Sequence, residues 1–246
     1  DQAKEPVKWG EIVAGSSKIK FYGFLRLDLT YHSSPPDNTQ VIAFAKSGDP
    51  RAPVAIGAIE DNPTLSIYPR LTRFGFDLAG PKIGMLGNPD LSGKFEIDFY
   101  NSGLVGQSES REAVRMRHAW LKLKWNDLFV LAGQTADLIS PLYPIVNPDL
   151  VMWGAGNLGD RRPQFRADWS PKLGPGNVFL QGMVGLTGAD DNQNLDAATS
   201  TGSAYRDGEA SGLPTLQART GYRMKMWEKE SFEIGFWGQR AWEKTD

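Results

Sequence analysis

Cysteine is absent from the 246 residues, which excludes disulfides, thiolate metal sites and cysteine nucleophiles. A long hydrophobic run is also absent. No stretch approaches the roughly 18 apolar residues that a membrane helix requires, so insertion by helices is excluded. Histidine is confined to His32 and His118. Neither sign of charge dominates: 27 basic residues stand against 29 acidic ones, a formal net charge of −2, and a general nucleic-acid role gains no support. No phosphate loop, dinucleotide fingerprint or haem-attachment motif occurs, so no cofactor is expected. The acidic run Gly188-Ala189-Asp190-Asp191-Asn192 has no repeating ligand spacing and reads as a solvated loop, not a calcium or other metal site. There is no initial Met and no apolar leader. A secreted chain after signal removal would begin in this way, and so would a trimmed one.

Aromatics (12 Phe, 8 Trp, 7 Tyr), 27 Gly and 16 Pro are plentiful, a mixture that suits strands and turns. The mean hydropathy of −0.39 resembles that of a soluble protein. Strands that alternate apolar and polar residues give such an average even when one face meets lipid.

Period-two alternation recurs in nine segments. The clearest is 17–32, where Ile19, Phe21, Leu25, Leu27, Leu29 and Tyr31 oppose Lys18, Lys20, Tyr22, Arg26, Asp28 and Thr30. It is far longer than the usual soluble strand of about 5–6 residues, whereas a membrane strand needs about 9–11 within the bilayer. Segments 66–79, 93–101, 112–125, 162–169, 177–187, 214–227 and 232–242 repeat the pattern with varying clarity, and 128–136 is apolar on both faces. Their connections alternate between long and short. Stretches 33–63, 102–111, 137–161 and 188–213 are the longer ones, whereas Asn126-Asp127, SPKLGPG and EKES are tight and only 80–92 is overlong for its class. Outer-membrane barrels have this asymmetry, with short periplasmic turns and longer outer loops.

The expectation is therefore an all-β chain forming a transmembrane antiparallel up-and-down β-barrel in the bacterial outer membrane. Residues 1–16, which lack alternation, read as a periplasmic lead-in, and 17–246 as the barrel. Nine is an odd count where such barrels have an even one, and an open edge in lipid leaves backbone groups unpaired. The segments are thus expected to be the N-terminal part of a larger barrel with its C-terminal strands missing. Tyr31, Tyr100, Trp125, Trp169, Trp227 and Trp242 lie near strand ends, where interfacial girdles form.

The polar faces carry the chemistry. Arg26, Arg73, Arg162, Arg166, Arg219, Arg223 and Lys225 fall on them, and Arg115 and Arg117 flank His118 with a facing that a bulge would decide. A basic residue on the lipid face at mid-bilayer costs about 2–4 kcal/mol, so these side chains are expected to face water. Arginine keeps its charge and offers a planar fork of donors, which suits carboxylates, phosphates or sulfonates. Acids share the same segments: Asp28, Asp77, Glu96, Asp98 and Asp168. Porins often set the two signs on opposite walls, and a porin for small, preferentially anionic hydrophilic solutes is the expected function. Solvation of a water-filled lumen is the plainer account of any single arginine. Loop 137–161, DLISPLYPIVNPDLVMWGAGNLGDR, is too apolar to stand free in water. It is expected to fold inward as a constriction or to pack on a neighbouring subunit.

Two other functions fit the pattern. A barrel could act as a structural anchor or partner-binding scaffold, for which loops 33–63 and 188–213 are large enough. An outer-membrane lipase would need a serine–histidine pair; His32 abuts the polar loop SSPPDN and reads as solvated, and His118 has no serine partner evident in the sequence, so no catalytic residue is expected.

The runs RMRHAWLKLKW (115–125), LAGQTADLISPLYP (131–144) and GNLGDRRPQFR (156–166) resemble the arginine-rich bacterial outer-membrane porins, in particular the DcaP-type group. That resemblance implies a homotrimer of barrels, usually of sixteen strands, in contact with lipid and lipopolysaccharide and taking up small organic acids passively. It also implies that Arg115, Arg117, Arg161, Arg162 and Arg166 lie near the eyelet.

Overall fold

The computed structural model describes residues 10–33, 63–101, 112–139, 161–187, 211–226 and 231–242. They form thirteen strands: β1 (Glu11–Ala14), β2 (Ser17–Phe24), β3 (Asp28–His32), β4 (Thr64–Tyr68), β5 (Arg73–Ala79), β6 (Asp90–Asn101), β7 (Glu112–Lys124), β8 (Leu128–Ala136), β9 (Arg161–Trp169), β10 (Lys172–Leu173), β11 (Gly176–Gly185), β12 (Thr215–Lys225) and β13 (Ser231–Arg240). Ten of them pair in the order β1-β2-β5-β6-β7-β8-β9-β11-β12-β13, and β10 adds to β11, giving an antiparallel sheet of eleven strands. Strands β3 and β4 form a separate pair. The main sheet is not closed, and β1 and β13 are its two ends.

The strand count and the bounds of two segments are corrected. Nine strands become thirteen. Segment 17–32 is two strands, β2 and β3, and segment 66–79 runs from within β4 into β5. Register explains the break: Phe24 opposes Arg73 and Asp28 opposes Tyr68, so residues 25–27 face the longer stretch 69–72 and the ladder cannot continue evenly. The Thr72 hydroxyl replaces part of it, accepting from the Arg26 N–H at 3.0 Å and donating to the Arg26 carbonyl at 3.2 Å. Within residues 1–16, Glu11–Ala14 is also a strand. It pairs with β2 through a turn at Gly15, whose positive φ of 61° is readily adopted by glycine.

Connections follow the expected parity. Antiparallel pairing of neighbours puts the turns at 15–16, 80–89, 125–127 and 170–175, and the facing ends of β12 and β13, at one end of the sheet. The connections between β2 and β5, β6 and β7, β8 and β9, and β11 and β12 all lie at the other. Trp125 and Trp169 sit at the short-turn end, and Trp125 Nε1 donates to the Leu86 carbonyl at 2.8 Å, pinning the 3-10 turn Gly84–Leu86. Of the other proposed girdle aromatics, Trp227 and the Tyr100 side chain lie outside the described residues.

The two faces are inverted relative to a water-soluble β protein. Register puts Phe21, Phe74, Phe76, Phe95, Ile97, Leu121, Val130, Phe165, Leu180, Leu216, Ile234 and Phe236 on one face. Phe165 and Phe236 there are 74% and 78% exposed. The opposite face carries most of the charges, and its members Glu96, Asp98, Arg162, Gln164, Asp168, Thr215 and Gln217 are buried. The buried apolar residues Leu131, Phe179 and Met183 also lie on this polar face, in register with Arg166, Gly221 and Gln217. Contiguous apolar exposure of this extent marks a surface that contacts something other than water.

Candidate solute-facing wall

The polar face gathers most of the expected charged residues into two groups. One lies on β5, β6 and β7. Its geometry depends on a bulge in β7: Glu96 opposes His118 while Ile97 opposes Met116, leaving Arg117 without a cross-strand counterpart. A bulge re-aims a side chain, and here Arg115, Arg117 and His118 all reach the polar face despite their odd spacing. Arg115 forks onto Asp98, Nε to Oδ1 and Nη2 to Oδ2 at 2.8 Å each. Arg117 bridges two acids, donating to Glu96 Oε1 at 2.8 Å and Asp98 Oδ2 at 2.6 Å. Arg73 lies 3.5 Å from Glu96. The Tyr22 hydroxyl donates to Glu96 at 2.9 Å and accepts from Lys94 at 2.9 Å, and Lys94 also pairs with Asp77 at 2.7 Å. His118 Nδ1 lies 3.1 Å from Thr135 Oγ1.

Bases and acids interleave in this group, Arg73, Lys94, Arg115 and Arg117 against Asp77, Glu96 and Asp98. Asp98 is wholly buried, and a buried carboxylate is tolerable only when it is paired and hydrogen-bonded. Arg115 and Arg117 supply that pairing. The acids and arginines of this group are neighbours on one face of the sheet. At the sheet break Arg26 likewise pairs with Asp28 at 2.9 Å.

The second group lies on β9, β11, β12 and β13. Arg166 forks onto Asp168. Gln181 Nε2 donates at 2.6 Å to Asp168 Oδ2, the oxygen that Arg166 Nη2 also reaches, and Gln181 Oε1 accepts from Arg219 at 3.1 Å. Arg219 and Arg223 both end on Glu233. The chain of contacts lines a cleft of about 800 Å³ whose wall includes Phe129, Leu138 and Trp237.

Aromatic rings support these guanidiniums from below. Arg219 and Arg223 lie 4.9 and 5.6 Å from the Phe179 ring centre, and Arg166 lies 5.5 Å from that of Phe129. Phe179 can lie across β12 and β13 because Gly221 and Gly235 leave room. A Cβ on Gly221 would come 2.6 Å from Phe179 Cζ, and one on Gly235 would come 3.3 Å from it.

Arg162 and Arg161 divide between the faces. Arg162 opposes Thr135 on the polar face, and Arg161 opposes Ala136 on the other. Arg162 is fully buried, donating two 2.8 Å bonds to Asp137, one of 2.8 Å to the Leu186 carbonyl and one of 3.2 Å to Thr215. The Leu138 N–H donates to Gln217 Oε1 at 2.8 Å, so the chain leaving β8 turns over the polar face towards β12, with Leu138 and Ile139 buried beneath. Residues 140–160 of the proposed constriction lie outside the described residues, as do most of loops 33–63 and 188–213.

Sequence alternation identified Arg166, Arg219 and Arg223 but not their partners Glu233 and Gln181, nor Asp137. Glu233 stood in the sequence as an ordinary polar-face residue of an amphipathic strand. Only the β12–β13 register, which opposes Glu233 to Arg223, brings it between two arginines.

The class defined by these features is an antiparallel β-sheet with a buried charged face and an exposed apolar one. Comparison of the chain with protein-family models, with curated proteins and with solved structures finds no match.

Proposed function

We propose that the chain forms the wall of a bacterial outer-membrane β-barrel whose polar face lines an aqueous path for small, preferentially anionic hydrophilic solutes. The inversion of the two faces carries this reading. Exposed Phe, Leu, Ile and Val are stable against hydrocarbon, and charged side chains gathered on the other face require water or partners. Loop parity supports it, since short turns at one end and long connections at the other match periplasmic and outer ends. The closed barrel is completed by strands that pair with the β1 and β13 edges, because lipid leaves an unpaired edge unsatisfied.

Anion preference rests on the second group: three acids line the cleft, but Asp137 is taken by Arg162, so Arg166, Arg219 and Arg223 meet only Asp168 and Glu233. The inward course of Asp137 and Leu138 supports a narrowing of the path by loop 137–161. The resemblance to arginine-rich porins, with its homotrimer and sixteen strands, belongs to the same proposal.

Reconstitution of the full-length protein in planar bilayers tests it. Discrete conductance steps and a reversal potential of anionic sign across a salt gradient are expected. An absence of ion-conducting events would remove the passage reading and leave a scaffold barrel. Cation preference would remove the arginine argument.

A further inference from the structure

We infer that Glu233 is a tethered carboxylate occupying an anion subsite built by Arg219 and Arg223, and that a solute carboxylate binds there by taking its place. The inference rests on the passage reading and specifies its selectivity site. The subsite is assembled from three strands. Arg219 Nη1 is fixed by Gln181 on β11, leaving Nη2 for Glu233 Oε1, and Arg223 reaches Glu233 Oε2 through Nε at 2.6 Å. Both oxygens of one carboxylate are thus held by two guanidiniums that lie over Phe179.

The charges do not balance. Asp168 is already engaged by Arg166 and Gln181, so Glu233 alone answers Arg219 and Arg223. A guanidinium carries five N–H donors, and the two together have donors to spare. Their accessibility also differs. The Arg219 side chain is 10% exposed and that of Arg223 is 54% exposed. Arg219 is the fixed base of the subsite, and Arg223 is the arm that an arriving anion meets first. The adjoining cleft has room for a small molecule. The chemistry of the ligand is written in the group already there: a carboxylate on a short aliphatic stem, the counterpart of free propionate.

An internal carboxylate of this kind limits affinity without abolishing it. The solute exchanges with Glu233 instead of filling two bare guanidiniums, which favours release as well as entry, and conduction requires sites that bind weakly enough to let go.

Calorimetric titration of the full-length protein in detergent with propionate, and with neutral propionamide, tests this. Glu233→Gln keeps the shape and removes the competitor, so propionate should bind about tenfold more tightly, the scale of one charge-assisted hydrogen bond, with propionamide unchanged. Arg223→Gln should abolish propionate binding, and this variant keeps the inference falsifiable should Glu233→Gln not fold. Propionate affinity that is unchanged or weaker in Glu233→Gln, or unchanged in Arg223→Gln, would overturn it. Bilayer conductance of the same preparations separates the two ideas. A conducting protein with an unaltered propionate response in Glu233→Gln removes the subsite alone, whereas a wild type that does not conduct removes the passage reading.

Discussion

Arg162 and Asp137 form a two-pronged ion pair, both bonds at 2.8 Å, with neither side chain exposed to solvent. Asp137 is the first residue beyond β8 and Arg162 opens into β9, so one buried contact ties together the two ends of the 137–161 connection. Breaking a buried pair on one side costs roughly 3–5 kcal/mol. Asp137→Asn should therefore lower the denaturation midpoint measurably in detergent-folded protein. A midpoint equal to that of wild type would mean the pair contributes nothing.

Phe236 and Trp237 are sequence neighbours on opposite faces of β13, opposite Thr220 and Arg219 respectively. Arginine at the first position would meet hydrocarbon and should destabilise the folded protein in lipid by about 2–4 kcal/mol if it lies near the bilayer midplane. Arginine at the second would meet the cleft, leave insertion intact and shift the reversal potential further towards anions. Folding titrations of both variants into vesicles decide it: equal tolerance at the two sites contradicts the assignment of faces.

Gly221 provides the space in which Phe179 lies. Gly221→Val should force the ring away from Arg219 and Arg223, at an overpacking cost of about 1–3 kcal/mol. The expected signature is lower thermal stability together with weakened anion preference. Retention of both would show that the ring has room to spare.

Asp98 accepts from Arg115 and Arg117 while wholly buried. Asp98→Asn removes the shared negative charge and leaves two guanidiniums facing each other, so it should destabilise more than Asp77→Asn, whose exposed carboxylate meets Lys94 alone in a screened surface pair. Chemical denaturation of both variants at one salt concentration checks the ranking, and a larger loss for Asp77→Asn would reverse it.

Much of this fold is readable from local pattern. Alternation such as Phe74, Phe76 and Leu78 against Arg73 and Asp77 depends only on the two-residue period of a strand, and it assigned these residues to the faces on which the sheet carries them. The parity of short and long connections is likewise a property of the chain order. Other features are not local. The broken alternation of RMRHAW raises a bulge in the sequence, but its place in β7 is set only when the partner strand fixes the register, because a bulge is a mismatch between two strands. The break after Phe24 is of the same kind, since 17–32 alternates without interruption and the irregularity comes from the four residues 69–72 between β4 and β5.

Which strand lies beside which, and hence which acid answers which arginine, is settled by pairing across distances of up to tens of residues. By itself the sequence determined that this is an all-β chain with one apolar and one charged face, because side-chain alternation is built into the backbone. Only the tertiary structure decided that the charged face is the buried one, that Asp137 returns to Arg162, and that Glu233 closes on Arg219 and Arg223. Those contacts exist only after distant segments are brought into register.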